Sequence, residues 1–421
     1  MIKINKDISG LKESATLAIN LKVKALRDAS KPVHHWGFGQ SPFPVPVEIQ
    51  DELKARTAHK EYLPTMGLEI LRKVISKYYT KVLGLSFSFD QVFISPGSKE
   101  LMFQLFYILE GEFLIPTPSW VSYLPQLKIK NASTHFIHTQ ESNQYKVTPS
   151  ELEAACDKLK GRQITLILNS PSNPTGQIYT EKELKALAPI LEKYSVIVVS
   201  DEIYSQVDFN QKVSTSVASF YLKTIITGGL SKSYSAGGYR LGFMLIPKEL
   251  EELIPPLKSF ISETFSAVSA PIQYAAVKAW DTKCSDVFTS IETYTQVHKI
   301  IGGYYSLRFA EMNILTPKAC GSFYLFINFD YYKEKLNSLG IMTSTQLSHY
   351  LLDQLGIAVL PGVDFYREQG ELSVRVAYVD YDGSKIVDKL KNEKLSLDLV
   401  HLSYPQIKEG LDMLEDFLTT L

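Results

Sequence analysis

Four short polar segments, each placed directly after an apolar run, carry the residues best suited to chemistry. Lys232 follows "IITGGLS", Asp201 follows "VIVVS", Asn173 lies in "SPSNPTG" after "ITLILN", and Gly97-Ser98-Lys99 follows "QVFISP". A lysine near a second cation, here Arg240, is a better nucleophile because its neutral amine is favoured. A carboxylate behind buried residues is costly unless it is paired, so Asp201 predicts a polar or cationic partner.

Each segment also has a purely structural interpretation. The "GSK" turn is typical of an ordinary helix N-cap, and Asp201 is equally typical of a cap on a following helix. Tyr204 is a phenol that could donate to a ligand or pack in the core, and Arg240 could form a structural salt bridge. Taken together, an amine, a carboxylate, a phenol and a helix N-terminus are what a pyridoxal phosphate site requires.

The apolar runs that precede these segments predict a largely parallel α/β sheet. Runs that are apolar on both faces and alternate with helical patterns are typical of strands that helices cover on both sides. We predict strands at 91–95, 112–116, 133–138, 164–169, 196–201, 223–228 and 241–246, with helices at 99–109, 149–159, 181–193 and 249–263. Because ligand groups collect at the carboxyl ends of parallel strands, the four segments are expected to meet there.

The length of 421 residues predicts two domains. We place a large domain at residues 46–285, which contains all seven strands. A smaller α+β domain is predicted to comprise residues 286–421 together with residues 1–45, since the helical and strand patterns after 285 form a second, shorter set.

Charge and cysteine content exclude several classes of protein. The 44 Lys and Arg residues balance the 45 Asp and Glu residues, which argues against a nucleic-acid or membrane-surface partner. The three cysteines are far apart and lack neighbouring histidines, so no metal site is predicted. The N-terminal segment has no signal-peptide core, and no apolar run reaches the roughly 18 residues that span a bilayer. A cytoplasmic location is therefore expected.

Four motifs together resemble the class I/II aminotransferases, enzymes of fold type I that depend on pyridoxal 5'-phosphate and include aspartate and aromatic aminotransferases. The motifs are "SPSNPTG", "SDEIY", "SKSYSAGGYRLG" and "VRVAY", and the resemblance covers nearly the whole chain in the family's order. It implies transfer of an amino group from an α-amino acid to a 2-oxo acid by a ping-pong mechanism through an internal aldimine of Lys232. It also implies a homodimer with shared active sites.

The resemblance assigns a role to each matching residue. The catalytic residues would be Lys232, Asp201 and Tyr204; the cofactor contacts would be Gly97, Ser98, Lys99, Trp120, Asn173, Asp201, Tyr204, Ser231, Lys232, Arg240 and Tyr62; the substrate contacts would be Gly39, Asn173 and Arg375. By this resemblance Lys232 moves the α-proton and Asp201 pairs with the pyridine nitrogen. Arg375 grips the α-carboxylate with a planar fork that a lysine would serve poorly.

The remaining roles concern the ring, the phosphate and the substrate. The resemblance gives Tyr204 and Asn173 to the phenolic oxygen of the cofactor and the "GSK" turn with Arg240 to its phosphate. Trp120 would stack on the ring, although a core tryptophan is the alternative. The backbone of Gly39 would close over the substrate, and Tyr62 would reach the phosphate bound by a neighbouring subunit.

Three departures from the family pattern stand out. Gly229 occupies a position where the family often has serine, so one phosphate contact depends on Ser231 instead. The loop after Phe38 reads "GQSPF" where "GEPDF" is usual. No second arginine for a substrate side-chain carboxylate is found in "ETFSAVSAPIQY", so aspartate specificity does not follow. Trp36, Phe38 and Phe43 indicate either an aromatic substrate or packing between the domains.

Two other functions stay open at this point. A pyridoxal-phosphate-dependent C–S lyase, or another enzyme acting at the α-carbon, would use the same fold because fold does not decide reaction. A non-catalytic pyridoxal-phosphate-binding module is the second alternative. Release of ammonia and pyruvate from a cysteine-type substrate would favour the lyase, and failure of every amino donor to convert the cofactor would favour the binding module.

Overall fold

The computed structural model describes residues 2–3, 5–11, 13 and 15–421. The helices of this part are α1 (Lys6–Ser9), α2 (Ala15–Asp28), α3 (Val47–Ala55), α4 (Glu69–Leu83), α5 (Ser98–Ile108), α6 (Tyr123–Lys130), α7 (Pro149–Asp157), α8 (Glu181–Lys193), α9 (Ile254–Ser262), α10 (Ala270–Trp280), α11 (Ser285–Glu311), α12 (Lys333–Ser338), α13 (Ser344–Leu355), α14 (Gly383–Lys389), α15 (Leu397–Ser403) and α16 (Pro405–Thr420). The strands are β1 (His34–His35), β2 (Val92–Ser95), β3 (Glu112–Thr117), β4 (Ser133–His138), β5 (Ile164–Asn169), β6 (Ile197–Asp201), β7 (Thr224–Gly229), β8 (Gly242–Leu245), β9 (Tyr324–Asn328), β10 (Ile357–Ala358), β11 (Leu360–Pro361) and β12 (Ser373–Ala377).

The central sheet has seven strands in the order β2-β8-β7-β6-β5-β3-β4. Strand β8 pairs antiparallel with both of its neighbours, and the other pairs are parallel. Helices bury β5, β6 and β7 on both faces, which is why these strands consist of continuous apolar residues. The mostly parallel seven-stranded sheet predicted from the sequence is confirmed.

The register of the central strands brings their last residues side by side. Asn169 at the end of β5 lies opposite Asp201 at the end of β6, and Asp201 lies opposite Thr227 in β7. Parallel strands in this register end at one edge of the sheet. The polar segments that follow these strands therefore start from the same edge.

Local sequence signals explain where several helices begin and end. Helices α7 and α8 each start with a capping box, formed by Thr148 with Glu151 and by Thr180 with Glu183, because these side chains satisfy the free N–H groups of the first turn. Helix α4 ends at Gly84, whose positive φ of 69° suits glycine. The predicted helix at 249–263 is split, since a 3₁₀ segment precedes the α-helix that begins just before two prolines.

A second, antiparallel sheet with the order β11-β12-β9 lies in the C-terminal part of the chain. The N-terminal strand β1 pairs in parallel with β10, and Val23 of α2 packs against Leu352 and Ala358, so α2 and β1 join this C-terminal part. A large apolar cluster connects α11, β9, β12, α13 and α16. This arrangement supports a small domain made of 1–45 and 286–421 beside a large domain of 46–285, and those boundaries stay a prediction.

The described residues lack two kinds of feature. None of their helices has both the length and the apolar character that crossing a membrane requires. Their His, Cys, Asp and Glu side chains form no group of three or more that could hold a metal ion.

Candidate active site

A cavity of about 310 Å³ lies at the carboxyl edge of the central sheet. Twelve of the thirteen residues predicted from the sequence line it: Gly39, Gly97, Ser98, Lys99, Trp120, Asn173, Asp201, Tyr204, Ser231, Lys232, Arg240 and Arg375. The thirteenth, Tyr62, is not among the lining residues and is 97% exposed. The fold thus gathers side chains from distant parts of the sequence around one cavity.

Lys232 lies on the loop after β7 with its amine at the cavity. Its Nζ donates a hydrogen bond to the carbonyl oxygen of Gly39 at 2.6 Å. The same Nζ is 5.8 Å from the ring centroid of Tyr204 and 5.7 Å from that of Phe323. A carbonyl oxygen and two aromatic faces therefore hold the ammonium group in place, as expected for a cation in a partly dry site.

Asp201 ends β6 and is 4% exposed. Its Oδ2 accepts a hydrogen bond from the hydroxyl of Tyr123 at 2.7 Å, and its Oδ1 accepts from Ile203 N and Thr227 Oγ1, both at 3.4 Å. Burial raises the pKa of Asp201, while the hydrogen bond from Tyr123 and the charge of Lys232 oppose that rise. A further cation beside this carboxylate would favour its ionised form.

The structure excludes one interpretation of Asp201 and confirms that a helix begins at the "GSK" turn. Residues 203–206 form a turn and not a helix, so the interpretation of Asp201 as a helix cap is wrong. Helix α5 does begin at Ser98, directly after Gly97. The first N–H groups of an α-helix have no partner within the helix and attract anions.

An arginine completes this anion-binding end of the cavity. Arg240 donates to the carbonyl oxygens of Pro96 at 3.1 Å and Gly237 at 2.9 Å. Gly97 has φ of +100°, and a Cβ there would lie 2.4 Å from Nη2 of Arg240. The guanidinium group therefore approaches the start of α5 more closely than any residue other than glycine would allow.

Lys99 and Trp120 form the neighbouring wall. The Nζ of Lys99 lies 4.9 Å from the ring centroid of Trp120, a distance suited to a cation–π contact. Burial lowers the pKa of Lys99, and the charges of Arg240 and Lys232 lower it further. A bound anion would relieve this repulsion among cations. Trp120 is half-buried and also contacts Tyr123 edge-on at 5.2 Å.

Arg375 reaches the cavity from β12, in the second sheet, and is 1% exposed. Its Nη1 donates to Asn173 Oδ1 at 3.2 Å and its Nη2 to Gly37 O at 2.5 Å, while the ring of Tyr324 lies 4.7 Å from its Cζ. Among the described residues its Nε has no hydrogen-bond partner. Burial lowers the pKa of Arg375, and an anionic partner would stabilise such a buried guanidinium group.

Comparison with known proteins identifies the family to which this site belongs. Residues 31–385 match the family model described as aminotransferase class I and II. The chain belongs to the class I and II aminotransferases. It is therefore a transferase enzyme, and the resemblance noted in the sequence is confirmed over most of the chain.

Individual relatives of this aminotransferase support the same family assignment. An aspartate aminotransferase of Geobacillus stearothermophilus is 34% identical over 373 residues, which cover 86% of this chain and 92% of that protein. An asparagine–oxo-acid transaminase of Streptococcus mutans is 31% identical over 389 residues, which cover 90% and 95%. The solved structure of an aspartate aminotransferase from Thermus thermophilus with maleate has a TM-score of 0.84 at 22% identity, covering 99% of this chain and 100% of that one. At 22% identity, the match to the Thermus thermophilus structure shows a shared fold alone.

The Gly39 loop of this aminotransferase depends on the absence of a side chain. A Cβ at Gly39 would lie 1.9 Å from the hydroxyl of Tyr324, so any other residue would displace the loop or the tyrosine. The next residue, Gln40, lines the cavity. The "GQSPF" sequence therefore places a glutamine at the cavity.

The aromatic residues around this loop divide into two groups. Trp36 packs edge-on against Tyr305 at 5.5 Å, and Phe43 stacks on Tyr294 at 4.4 Å. Both pack against α11 and serve the core, whereas Phe38 lines the cavity. Trp36 and Phe43 are thus packing residues, but these contacts lie within the predicted small domain and not between the two domains.

Close backbone packing explains why Gly229 replaces the more common serine. A Cβ at Gly229 would lie 2.7 Å from the carbonyl oxygen of Leu241 and 2.9 Å from the Cα of Gly242. Strand β8 approaches β7 too closely at this point for a side chain. Ser231 lines the cavity nearby.

Sequence reasoning missed three polar residues at the site. Tyr123 donates to Asp201, Tyr324 contacts Arg375, and Asn169 donates from Nδ2 to the carbonyl oxygen of Asp201 at 2.7 Å. Asn169 could have been found, because it ends an apolar run just as Asp201 does. The two tyrosines have no local signal that separates them from core aromatics.

Proposed function

We propose that the chain is a pyridoxal 5'-phosphate-dependent aminotransferase that moves the amino group of an α-amino acid to a 2-oxo acid by a ping-pong mechanism. The observation that carries this proposal is the meeting of Lys232, Asp201 and Arg375 at one cavity. Membership of the class I and II aminotransferases supports the reaction class. The roles of the individual residues are part of the proposal.

The described residues fit this cofactor at three points. The phosphate would lie between the start of α5 and Arg240, where a Cβ at Gly97 would clash with the guanidinium group. The buried Asp201 would face the ring nitrogen, whose positive charge compensates for the burial that raises the pKa of that carboxyl. Tyr204 and Asn173 would donate hydrogen bonds to the phenolic oxygen. When bound, the cofactor supplies an electron sink that stabilises negative charge on the substrate α-carbon.

Lys232 has two tasks in the proposed mechanism. Its amine would hold the cofactor in the cavity until the amino group of the substrate takes its place. The freed amine would then act as the base that takes up and moves the proton of the substrate α-carbon. The carbonyl oxygen of Gly39 and the faces of Tyr204 and Phe323 keep this amine at the cavity.

Arg375 binds the substrate α-carboxylate. Asn173 Oδ1 and the carbonyl oxygen of Gly37 hold its two terminal nitrogens, and the ring of Tyr324 supports its flat face. Its near-complete burial excludes water, so hydrogen bonds to a carboxylate are stronger there than at the surface. The same contacts orient the α-carbon relative to Lys232.

We also propose a cytoplasmic homodimer with shared active sites and with no nucleic-acid or membrane partner. The exposed Tyr62 supports this arrangement, since a large exposed aromatic side chain is typical of interfaces. In such a dimer Tyr62 would contact the phosphate bound by the other subunit.

The names of the relatives suggest which amino donors to test first. One curated relative is named for aspartate and another for asparagine, so these two amino acids head the panel of donors, followed by glutamate and the aromatic amino acids. Oxaloacetate and 2-oxoglutarate are the corresponding acceptors.

The test is the visible absorption spectrum of the purified protein with pyridoxal phosphate, recorded as donors are added one at a time. We expect a band from the Lys232-bound cofactor that donors convert to the spectrum of the amine form, and no such band in Lys232→Ala. Release of pyruvate and ammonia from a cysteine-type substrate, without that conversion, would instead indicate a lyase. A cofactor band that no donor changes would indicate a binding module, and a colourless wild-type protein would refute cofactor binding.

A further inference from the structure

Tyr324 contacts three residues of the site, Tyr204, Gly39 and Arg375, although no motif in the sequence assigns it a role. It is the first residue of β9, in the second sheet, and is 1% exposed. Its hydroxyl lies 3.0 Å from the hydroxyl of Tyr204 and 3.4 Å from the carbonyl oxygen of Gly39. The face of its ring supports Arg375, 4.7 Å away.

The hydrogen bonds around Tyr324 are limited by its single proton. A phenol carries one proton at neutral pH and donates one hydrogen bond. The hydroxyl of Tyr324 therefore donates either to Gly39 O or to Tyr204 Oη, and not fully to both. The contact with Tyr204 is the shorter of the two, 3.0 Å against 3.4 Å, so it is the better placed hydrogen bond.

The proposed function, on which this inference rests, decides between the two acceptors. In the proposed function Tyr204 donates a hydrogen bond to the phenolic oxygen of the cofactor, and its own buried oxygen is then free to accept one. Burial raises the pKa of Tyr204 well above its ordinary value, and the neighbouring Tyr324 adds to that rise. Among the described residues the hydrogen-bond partner of the Tyr204 hydroxyl is Tyr324.

We propose that Tyr324 is a positioning residue that donates a hydrogen bond to Tyr204 and thereby orients and strengthens the hydrogen bond from Tyr204 to the cofactor. A hydroxyl that accepts a hydrogen bond is a better donor, because chains of hydrogen bonds polarise one another. Tyr324 also keeps the Tyr204 oxygen from being buried without a donor. Tyr324 acts through Tyr204 and does not contact the reacting atoms.

The pH dependence of the cofactor spectrum reports this chain of hydrogen bonds. A donor to the phenolic oxygen competes with the proton on the Lys232 nitrogen, since both stabilise the negative charge of that oxygen. A weaker donor makes the nitrogen hold its proton to a higher pH. Tyr324→Phe removes the hydroxyl and keeps the ring that supports Arg375.

The experiment titrates the visible band of cofactor-loaded protein from pH 5 to 10 in wild type, Tyr324→Phe, Tyr204→Phe and the double variant. We expect Tyr324→Phe to raise the midpoint by about 0.5 pH unit and Tyr204→Phe to raise it further. In the Tyr204→Phe background, Tyr324→Phe should add no shift, because its effect passes through Tyr204.

A matched control removes a buried hydroxyl elsewhere. Tyr221→Phe deletes a hydroxyl that donates to Val196 O at 2.7 Å, away from the cavity, and should leave the midpoint unchanged. An unchanged midpoint in Tyr324→Phe, or an equal shift in both backgrounds, overturns the inference and leaves the proposed function intact. A wild-type protein without the band overturns the proposed function itself.

Discussion

Replacing Glu202 with glutamine is expected to flatten the pH dependence of this protein's stability. Glu202 follows β6 directly and is 5% exposed. Its Oε1 accepts hydrogen bonds from Ser200 Oγ at 2.8 Å and Ser216 Oγ at 2.5 Å. Burial raises the pKa of Glu202 to about 7, and the charge of Asp201 contributes, because two neutral hydroxyls only partly replace the lost solvation of the carboxylate.

The direction of the pH dependence follows from whether the folded or the unfolded chain binds the proton of Glu202. The ordinary pKa of a glutamate is 4.5, so between pH 4.5 and about 7 the folded protein holds a proton at Glu202 that the unfolded chain has released. The free energy of unfolding therefore falls as the pH rises through this window. The difference between the two pKa values corresponds to about 3 kcal/mol, most of which is lost between pH 5 and pH 8.

Glutamine has the same shape and no charge to bury. The unfolding free energy of Glu202→Gln minus that of wild type should therefore be about 2 to 3 kcal/mol higher at pH 8 than at pH 5. Taking the difference between two pH values removes any constant cost of fitting the amide between Ser200 and Ser216.

The assay is urea unfolding followed by circular dichroism at pH 5, 6, 7 and 8, with protein concentration and cofactor loading held fixed. Glu251→Gln makes the same chemical change at an exposed position and should give a curve parallel to wild type. If the curve of Glu202→Gln also ran parallel to wild type, the inference of a protonated, buried carboxylate would be refuted.

Three further predictions concern the proposed roles of site residues. Asp201→Asn should lower kcat by orders of magnitude while leaving the far-UV circular dichroism unchanged, because an amide cannot balance a positively charged ring nitrogen; near-normal turnover would contradict this role. Arg375→Lys should lower kcat/KM for α-amino acids by about 10²-fold through loss of one charge-assisted hydrogen bond, and it should hardly affect the reaction of a simple amine without a carboxylate. Mixing Tyr62→Ala with Lys232→Ala, refolded together, should restore about a quarter of the wild-type sites if the dimer shares its sites as proposed; cofactor binding measured by absorbance would show no restoration if each site were complete within one chain.

The strands were the most predictable part of the fold. The strands predicted at 133–138 and 164–169 coincide with β4 and β5, and the other five predictions agree with the structure to within one residue at each end. Buried parallel strands appear in a sequence as short, continuous apolar runs, and that signal is local. The helix predicted at 249–263 was less accurate at its start, because the two prolines at the start of α9 separate a 3₁₀ segment from the α-helix.

Among the site residues, predictability depended on position relative to a strand end. Asn173 and Asp201 follow apolar runs and were found, and Asn169 had the same signal but was overlooked. Tyr123 and Tyr324 were missed because a tyrosine looks the same in a sequence whether its hydroxyl lies in the core or at a site. Tyr324 meets Tyr204 across 120 residues of sequence.

The sequence by itself determined the α/β class, the strand positions and the polar segments at the strand ends, since these depend on local patterns of apolar and turn residues. Only the tertiary structure decided which groups touch. Lys232 meets Gly39 from 193 residues away, and Arg375 reaches Asn173 from 202 residues away and from a different sheet. Burial, which raises the pKa of Asp201, likewise exists only once the chain has folded, because a low dielectric is a property of the packed surroundings and not of the residue.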